Sequence, residues 1–421
     1  MKSKSFFYLG LVLLCFLTNS CKEPEDDVTK PPIDIPIDQV NVVWERYTNA
    51  DSNISYLCPL KIDGNKIIAA VYFNSTENLD YRGIALYDKF TGQPISDWPV
   101  NELGIGNVTS SFITDYMSCG ISQDVWVFQA GSKTLAYNFS RNEKLWERSY
   151  TILSPMNKLS PFGKDVILGL EKEGYSEVSL GRLHYQDGRF EKFFSFTLED
   201  EYSKKMLPMP VAYMVNSQMD TLLFFSLYIW NYTLIEGHIH AICYNLNKRE
   251  IVWKKEDFTS NCDPKNFVPI IHNNKVILSC THSMHCFDIN TGEILWQKYL
   301  SNDNFTFIPP LLHNGRLYVQ TFKGEFICMD PNNGGEFWKK KHCFEPNHIG
   351  RMAIYNGLLY CTGYNLWDNA LLAISTATGN IEKKISFPNE QLEGGVTIDE
   401  STGLLYCSSR RKVYCIDIKN Y

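Results

Sequence analysis

Met284-His285-Cys286-Phe287-Asp288-Ile289-Asn290-Thr291-Gly292-Glu293-Ile294-Leu295-Trp296 is the stretch whose reading decides the fold. Two apolar runs flank a polar turn, which is the pattern of two short strands joined by a hairpin. The Asp side chain can accept hydrogen bonds from the turn amides, and Gly takes the positive φ that closes the turn. The same grammar returns at Phe326 to Trp338 around Asp330 and Gly334, at Ala241 to Trp253 around Asn245, and at Leu135 to Trp146 around Asn138. It returns once more, with two extra residues, at Leu86 to Trp98 around Asp88, Thr91 and Gly92.

In four of these copies the Trp follows the turn residue by eight positions: 138 to 146, 245 to 253, 288 to 296 and 330 to 338. A fixed spacing at an interval of some tens of residues marks a repeat architecture, in which each unit buries its faces only against its neighbours. The Trp is then a large apolar plate for the next unit. Weaker copies lie at Leu183 to Phe190, around Asp187 and Gly188, and at Leu371 to Ile381, around Ser375, Thr378 and Gly379.

Upstream of each turn lies a second hairpin signal. These are Asp63-Gly64, a site near Gly120, Phe162-Gly163, Ser217-Gln218, His272-Asn273-Asn274, His313-Asn314-Gly315, Tyr355-Asn356-Gly357 and a site near Gly403. Each joins the first and second strands of a four-stranded unit. The chain closes with Val413-Tyr414-Cys415-Ile416-Asp417-Ile418, a third strand that lacks its fourth. It opens with Val42-Val43-Trp44-Glu45-Arg46-Tyr47, which matches Leu295-Trp296-Gln297-Lys298-Tyr299. Pairing of the two ends would remove the open edges of the ring. The predicted fold is therefore all-β: an eight-bladed β-propeller of four-stranded blades over 42–421, with turns at 88, 138, 187, 245, 288, 330, 375 and 417. Seven blades would follow if the copy near Asp187 were discounted.

These segments resemble the PQQ-like repeat family of propellers, whose pattern is Leu-Asp-x-x-Thr-Gly-x-x-x-Trp. The resemblance covers roughly 42–421. It implies an eight-bladed ring and is nearly silent on activity, since that family holds both quinoprotein dehydrogenases and the propeller lipoprotein of the outer-membrane β-barrel assembly machinery. The dehydrogenases resemble one another in adjacent cysteines beside the quinone, and no two cysteines are adjacent here. Quinone-dependent catalysis is thus the lesser alternative. No cofactor is expected, and a non-catalytic binding protein is.

The N-terminus reads as an address. Lys2 and Lys4 precede an apolar run, 6–17, too short to span a bilayer comfortably. Thr18, Asn19 and Ser20 lead into Cys21, which resembles a lipoprotein signal with Cys21 as the lipidated residue. Thr18 stands where the usual signal has Leu, a departure similar to the looser signals of Bacteroidetes lipoproteins. Residues 1–20 are then a signal peptide, and the charged, proline-rich 21–41 a tether. The acidic cluster Glu23, Glu25, Asp26 and Asp27 resembles the export signal of surface lipoproteins, implying an outer-membrane protein facing the exterior, with a periplasmic orientation as the alternative. Membrane contact is expected through the lipid alone and the propeller as a monomer. A net charge of −7 without a basic stripe argues against a nucleic-acid partner.

Thirteen cysteines would suggest disulfides, but without Cys15 and Cys21 an odd eleven remain. Cys243, Cys286, Cys328 and Cys415 each precede the turn residue by two, where this family commonly has Ala, and read as small core residues. The cluster Cys280, His282, His285 and Cys286 has metal-capable groups, but strand alternation points them to opposite sides, so no metal site is assigned.

Binding residues are sought where hairpins lie furthest apart. Asn273 to Asp288 is 15 residues, whereas Asp63 to Asp88 is 25 and Ser217 to Asn245 is 28. The surplus is expected to form loops between second and third strands, on the face of the blade-to-blade connections. There lie Tyr81 in the first blade, Tyr228, Trp230, Asn231 and Tyr232 in the fourth, and Tyr364, Asn365, Trp367 and Asp368 in the seventh. Aromatic rings beside amides and carboxylates can anchor a protein partner or stack on a sugar. The competing reading makes each a strand residue of a blade core. The two partner classes are an envelope protein and a surface glycan or small ligand.

Overall fold

A computed structural model describes residues 33–47, 54–56, 60–74, 80–99, 118–122, 125–130, 133–141, 143–149, 159–171, 177–197, 204–231, 236–260, 268–300, 308–342, 344–346, 351–364, 369–388, 390–409 and 411–419. Cys21 lies outside the described residues, as do the expected signal over 1–20 and the first part of the expected tether, 21–32. The described strands form eight sheets, antiparallel throughout except where Ile33–Pro36 joins one of them as a parallel strand. Blades 1 to 7 occupy 54–99, 118–149, 159–197, 204–260, 270–299, 311–341 and 345–386. Blade 8 takes three strands from 392–417 and its fourth from Val42–Tyr47. Trp44 pairs with Cys415, so the chain ends close the ring as expected.

First strands of adjacent blades touch one another, as Leu159–Phe162 does Ser118–Ser122, and converge toward the centre. Fourth strands lie at the rim. Both hairpins of a blade fall at one end, the turn face, where backbone bonds tie them together: the Ile289 amide donates to the Asn274 carbonyl (3.0 Å) and the Thr376 amide to that of Gly357 (2.9 Å).

Local chemistry shapes the turn between third and fourth strands. In blade 5 the Asp288 carboxylate accepts the Asn290 and Thr291 amides, both at 2.9 Å, and the Gly292 amide donates to the Asp288 carbonyl. A β-bulge follows in register between Cys286 and Phe287, with equivalents at Leu86/Tyr87, Ala136/Tyr137, Leu180/Gly181, Cys243/Tyr244, Cys328/Met329 and Ala373/Ile374. The residue before the bulge is cross-strand to the Trp: Cys243 to Trp253, Cys286 to Trp296, Cys328 to Trp338 and Ala136 to Trp146. A small side chain there leaves room for an indole to turn toward the next blade.

Each such indole then seals a joint. Trp44, Trp253, Trp296 and Trp338 donate Nε1–H to the carbonyls of Lys89, Ile289, Pro331 and Thr376 at 2.9–3.0 Å, and Trp146 does the same to Tyr185. Beneath each ring lies a turn glycine, respectively Gly92, Gly292, Gly334, Gly379 and Gly188, where a Cβ would come within 2.4–2.9 Å of the indole. The cores are the layers between blades, such as Leu222, Phe224, Cys243, Trp253, Val276, Leu278 and Phe287 between blades 4 and 5.

Several expectations are corrected. In blade 3 the turn is centred on His184, whose amide and carbonyl make the bonds that Asp288 makes elsewhere, and not on Asp187. Blade 1 has no insertion: Ser96 faces Leu86 in the usual Trp position, and Trp98 lies two residues further along the strand. Gly120 pairs with Trp126 inside the strand Ser118–Ser122, so the first hairpin of blade 2 turns after it. The part of the expected tether that is described, from residue 33 on, is structured: Ile33–Pro36 is a strand, followed by a 3-10 turn over Ile37–Gln39.

Candidate partner-binding site at the raised end of blade 4

Blade 4 differs from its neighbours in strand length. Leu222 pairs with Asn245 and Lys275 with Asp288, so the turn ends of blades 4 and 5 correspond. The second strand then continues to Asn231 in blade 4 but stops at Ser279 in blade 5. At about 3.3 Å per residue the blade 4 sheet stands roughly 15 Å taller at the opposite end. The expected loop surplus is thus mostly strand. A run as apolar as Leu222-Leu223-Phe224-Phe225-Ser226-Leu227-Tyr228-Ile229-Trp230 is buried on both faces, so it carries no alternation from which a loop boundary could be read.

Tyr228 is accordingly a buried strand residue, not a loop residue; it packs over Gly237 and beside Met209, Ile239 and Cys280. Trp230, two residues on, faces the same way, is half-buried and lies 6.2 Å from the Tyr228 ring at 45°. Asn231 ends the strand opposite Lys204 and Glu236. Tyr81 is likewise in a strand, opposite Phe73. Tyr364 is half-buried in the strand Leu358–Tyr364, opposite Asn369. Tyr232, Asn365, Trp367 and Asp368 lie outside the described residues. Among the described residues Tyr228 and Trp230 are brought together, while Tyr81 and Tyr364 sit on separate blades.

Below Trp230 the joint between blades 4 and 5 is lined with aromatic rings. Phe258 lies 4.9 Å from His285 and 5.2 Å from Phe287, and His285 lies 5.8 Å from Tyr299, which is 56% exposed. His285 is fully buried with Nε2 2.9 Å from Ser283 Oγ, and burial pushes its pKa down to about 4. The raised wall of Trp230 and Phe258 and the short turn Cys280 to Ser283 of blade 5 form a step, with an aromatic riser.

On the blade 3 side of the same raised end lies a group that sequence reading missed. His238 and His240 alternate onto one face, and the fourth strand bulges opposite them, with Asp257 at φ 44°. The Asp257 amide donates to His240 Nδ1 (3.1 Å), while its Oδ1 lies 3.4 Å from His240 Nδ1 and 3.6 Å from His238 Nδ1. Burial lowers the His240 pKa, and the Asp257 and Glu256 carboxylates offset this only in part. The His-x-His spacing on a strand was the available signal.

Cys280 faces blade 4, whereas Cys286 is buried toward blade 6. Among the described residues no three His, Cys, Asp or Glu are placed to hold a metal ion.

Residues 280–420 match the family model described as outer membrane protein assembly factor BamB. No curated protein matches the sequence. Among solved structures the chain is similar to BamB from Moraxella catarrhalis, at 12% identity over 90% of this chain and 100% of that one, with a TM-score of 0.53. It is also similar to Chaetomium thermophilum Sqt1, solved bound to the N-terminus of ribosomal protein L10, at 10% identity, covering 90% and 100% of the two chains with a TM-score of 0.57. Quinohemoprotein alcohol dehydrogenase from Comamonas testosteroni shares 9% identity, covering 89% of this chain and 76% of that one with a TM-score of 0.55. At these identities the likeness is one of fold. The chain is an eight-bladed β-propeller, and its C-terminal third, residues 280–420, matches the BamB family model.

Proposed function

We propose that this protein is a non-catalytic scaffold of the cell envelope, held to the outer membrane by a lipid on Cys21 and facing the exterior, which docks a protein partner against the step between blades 4 and 5. The observation that carries this reading is the half-buried Trp230 above the buried Tyr228, on a blade taller than its neighbour. A Trp with one face packed and the other free is the usual form of an interface anchor. The match to the BamB model supports a scaffold. The solved complex of Sqt1 with a ribosomal protein segment supports protein binding by such a ring. The lack of adjacent cysteines weighs against quinone chemistry.

A glycan is the competing ligand. The Tyr228 and Trp230 rings are tilted by 45° and Tyr228 is buried, so they offer a single partly exposed ring and not the flat platform that suits a sugar face. In a pull-down from detergent-solubilised envelope, Trp230→Ala should lose a partner that the wild-type chain retains, with unchanged melting. Binding on a glycan array that Trp230→Ala abolishes would replace the protein reading. Cys21→Ala should release the chain to the soluble fraction, and protease shaving of intact cells distinguishes the exterior from the periplasmic face.

A further inference from the structure

Blades 7 and 8 meet without the tryptophan that seals five other joints. Lys383 stands in its place, opposite Ala373. The turn that would receive an indole is where the two chain ends meet, with the Asp417 amide donating to the Asn41 carbonyl (3.0 Å). Residues 33–40 lie across this joint instead. Ile33–Pro36 adds to the rim of blade 7, parallel to Ile381–Ser386, with Ile33 opposite Lys383 and Pro36 opposite Ser386. Lys384 Nζ and Ser386 Oγ donate to the Asp34 carboxylate at 2.9 and 2.6 Å. Ile35 and Ile37 pack against the layer that holds Tyr360, Leu371, Ile385, Phe387 and Tyr414, and Val40 is buried in it.

We propose that the rims of blades 7 and 8 form a binding groove for an extended Asp-Ile-Pro-Ile peptide, and that residues 33–40 are its detachable occupant, a clasp that secures this joint in place of the Trp. Each part of the recognition is chemical. The rim strand offers its free backbone edge to a parallel strand. Lys384 and Ser386 select the carboxylate of its Asp, and the apolar layer takes the two Ile side chains that follow.

The same features leave the clasp less firmly held than the strand that follows it. It is a four-residue strand bonded on one side, Pro36 has no amide to donate, and Ile33 is 60% exposed. Val42–Tyr47, by contrast, is held by the buried Trp44 under the turn of blade 1. Segments with few buried contacts open independently of global unfolding. The clasp therefore releases while the eight blades stay folded, leaving a groove that takes the same peptide in trans.

The test is hydrogen exchange, read by mass spectrometry, on the full chain carrying Ile35→Asp and Ile37→Asp together, with Asp34→Lys as a milder second variant. Exchange should rise on the order of tenfold or more in 381–386 and 392–399, and stay unchanged in blades 3 to 6. A synthetic peptide of residues 30–41 added to the double variant should restore protection, and the same peptide with Asp34→Lys should not. Unchanged exchange at 381–386, faster exchange around the whole ring, loss of folding in both variants, or no restoration by the peptide would each overturn the proposal.

Discussion

Lys89, in the turn of blade 1, and Asp399, at the end of the first strand of blade 8, form an ion pair of 2.7 Å whose side chains are only 9% and 10% exposed. It crosses the junction between the first and last blades. The Lys89 carbonyl also accepts Trp44 Nε1–H at 3.0 Å and the Tyr406 hydroxyl at 3.2 Å, so one turn residue holds three groups of blade 8. Burial alone would raise the Asp399 pKa, but hydrogen bonds from Lys89, Ser401 and Thr402, with the Lys89 charge, leave it well below the usual carboxylate range.

Removing one partner leaves the other charge nearly buried without its counter-ion. Lys89→Met should cost about 3–5 kcal/mol in denaturant unfolding, and the double variant Lys89→Met/Asp399→Leu should recover much of that loss. Equal losses in the single and double variants would show that the pair itself is not the source.

Glycine substitution separates backbone strain from indole contact. Gly292 and Gly315 have nearly the same φ, 71° and 68°, but a Cβ at Gly292 would lie 2.6 Å from Trp253 whereas none within 4 Å faces Gly315. Gly315→Ala should cost about 1–2 kcal/mol, from strain alone. Gly292→Ala should cost roughly 1–3 kcal/mol more, from the displaced ring. Chemical denaturation of the two variants measures the difference.

Acid should destabilise the ring before its carboxylates titrate. Burial pushes His285 and His342 down to about 4 and lowers His240 too, so all three are neutral in the fold and take up protons more readily when unfolded. The unfolded chain then binds more protons below pH ~6.5, and stability falls from there toward pH ~4, by at most about 1.4 kcal/mol per pH unit for each histidine. Melting temperatures between pH 7.5 and 4.5 check the slope, which His285→Leu should reduce.

The thiols at the indole contacts should be inert. Burial pushes Cys243, Cys286 and Cys415 up to about 12, and Cys280, Cys328, Cys361 and Cys407 are also buried thiols outside any disulfide. Alkylation at pH 8 should leave all seven unmodified until denaturant is added, with no bridge among them in a non-reducing digest.

Sequence alone determined the repeat, the number of blades and the closure of the ring by Val42–Tyr47. Those depend on chemistry confined to a few consecutive residues: an Asp or Asn that caps a turn, a Gly at positive φ, and a Trp at a set distance. It also marked Cys243, Cys286, Cys328 and Cys415 as core. What it left open depends on neighbours distant in the chain. Nothing local distinguishes Tyr228 under Gly237 from a loop tyrosine, because a strand covered on both faces has no polar side to mark it. The meeting of His238 and His240 with Asp257, the ion pair of Lys89 with Asp399, and the seating of Ile33–Pro36 on blade 7 join residues from 17 to some 350 positions apart. Only the stacking of blades brings such groups within reach, so only the tertiary structure could decide them.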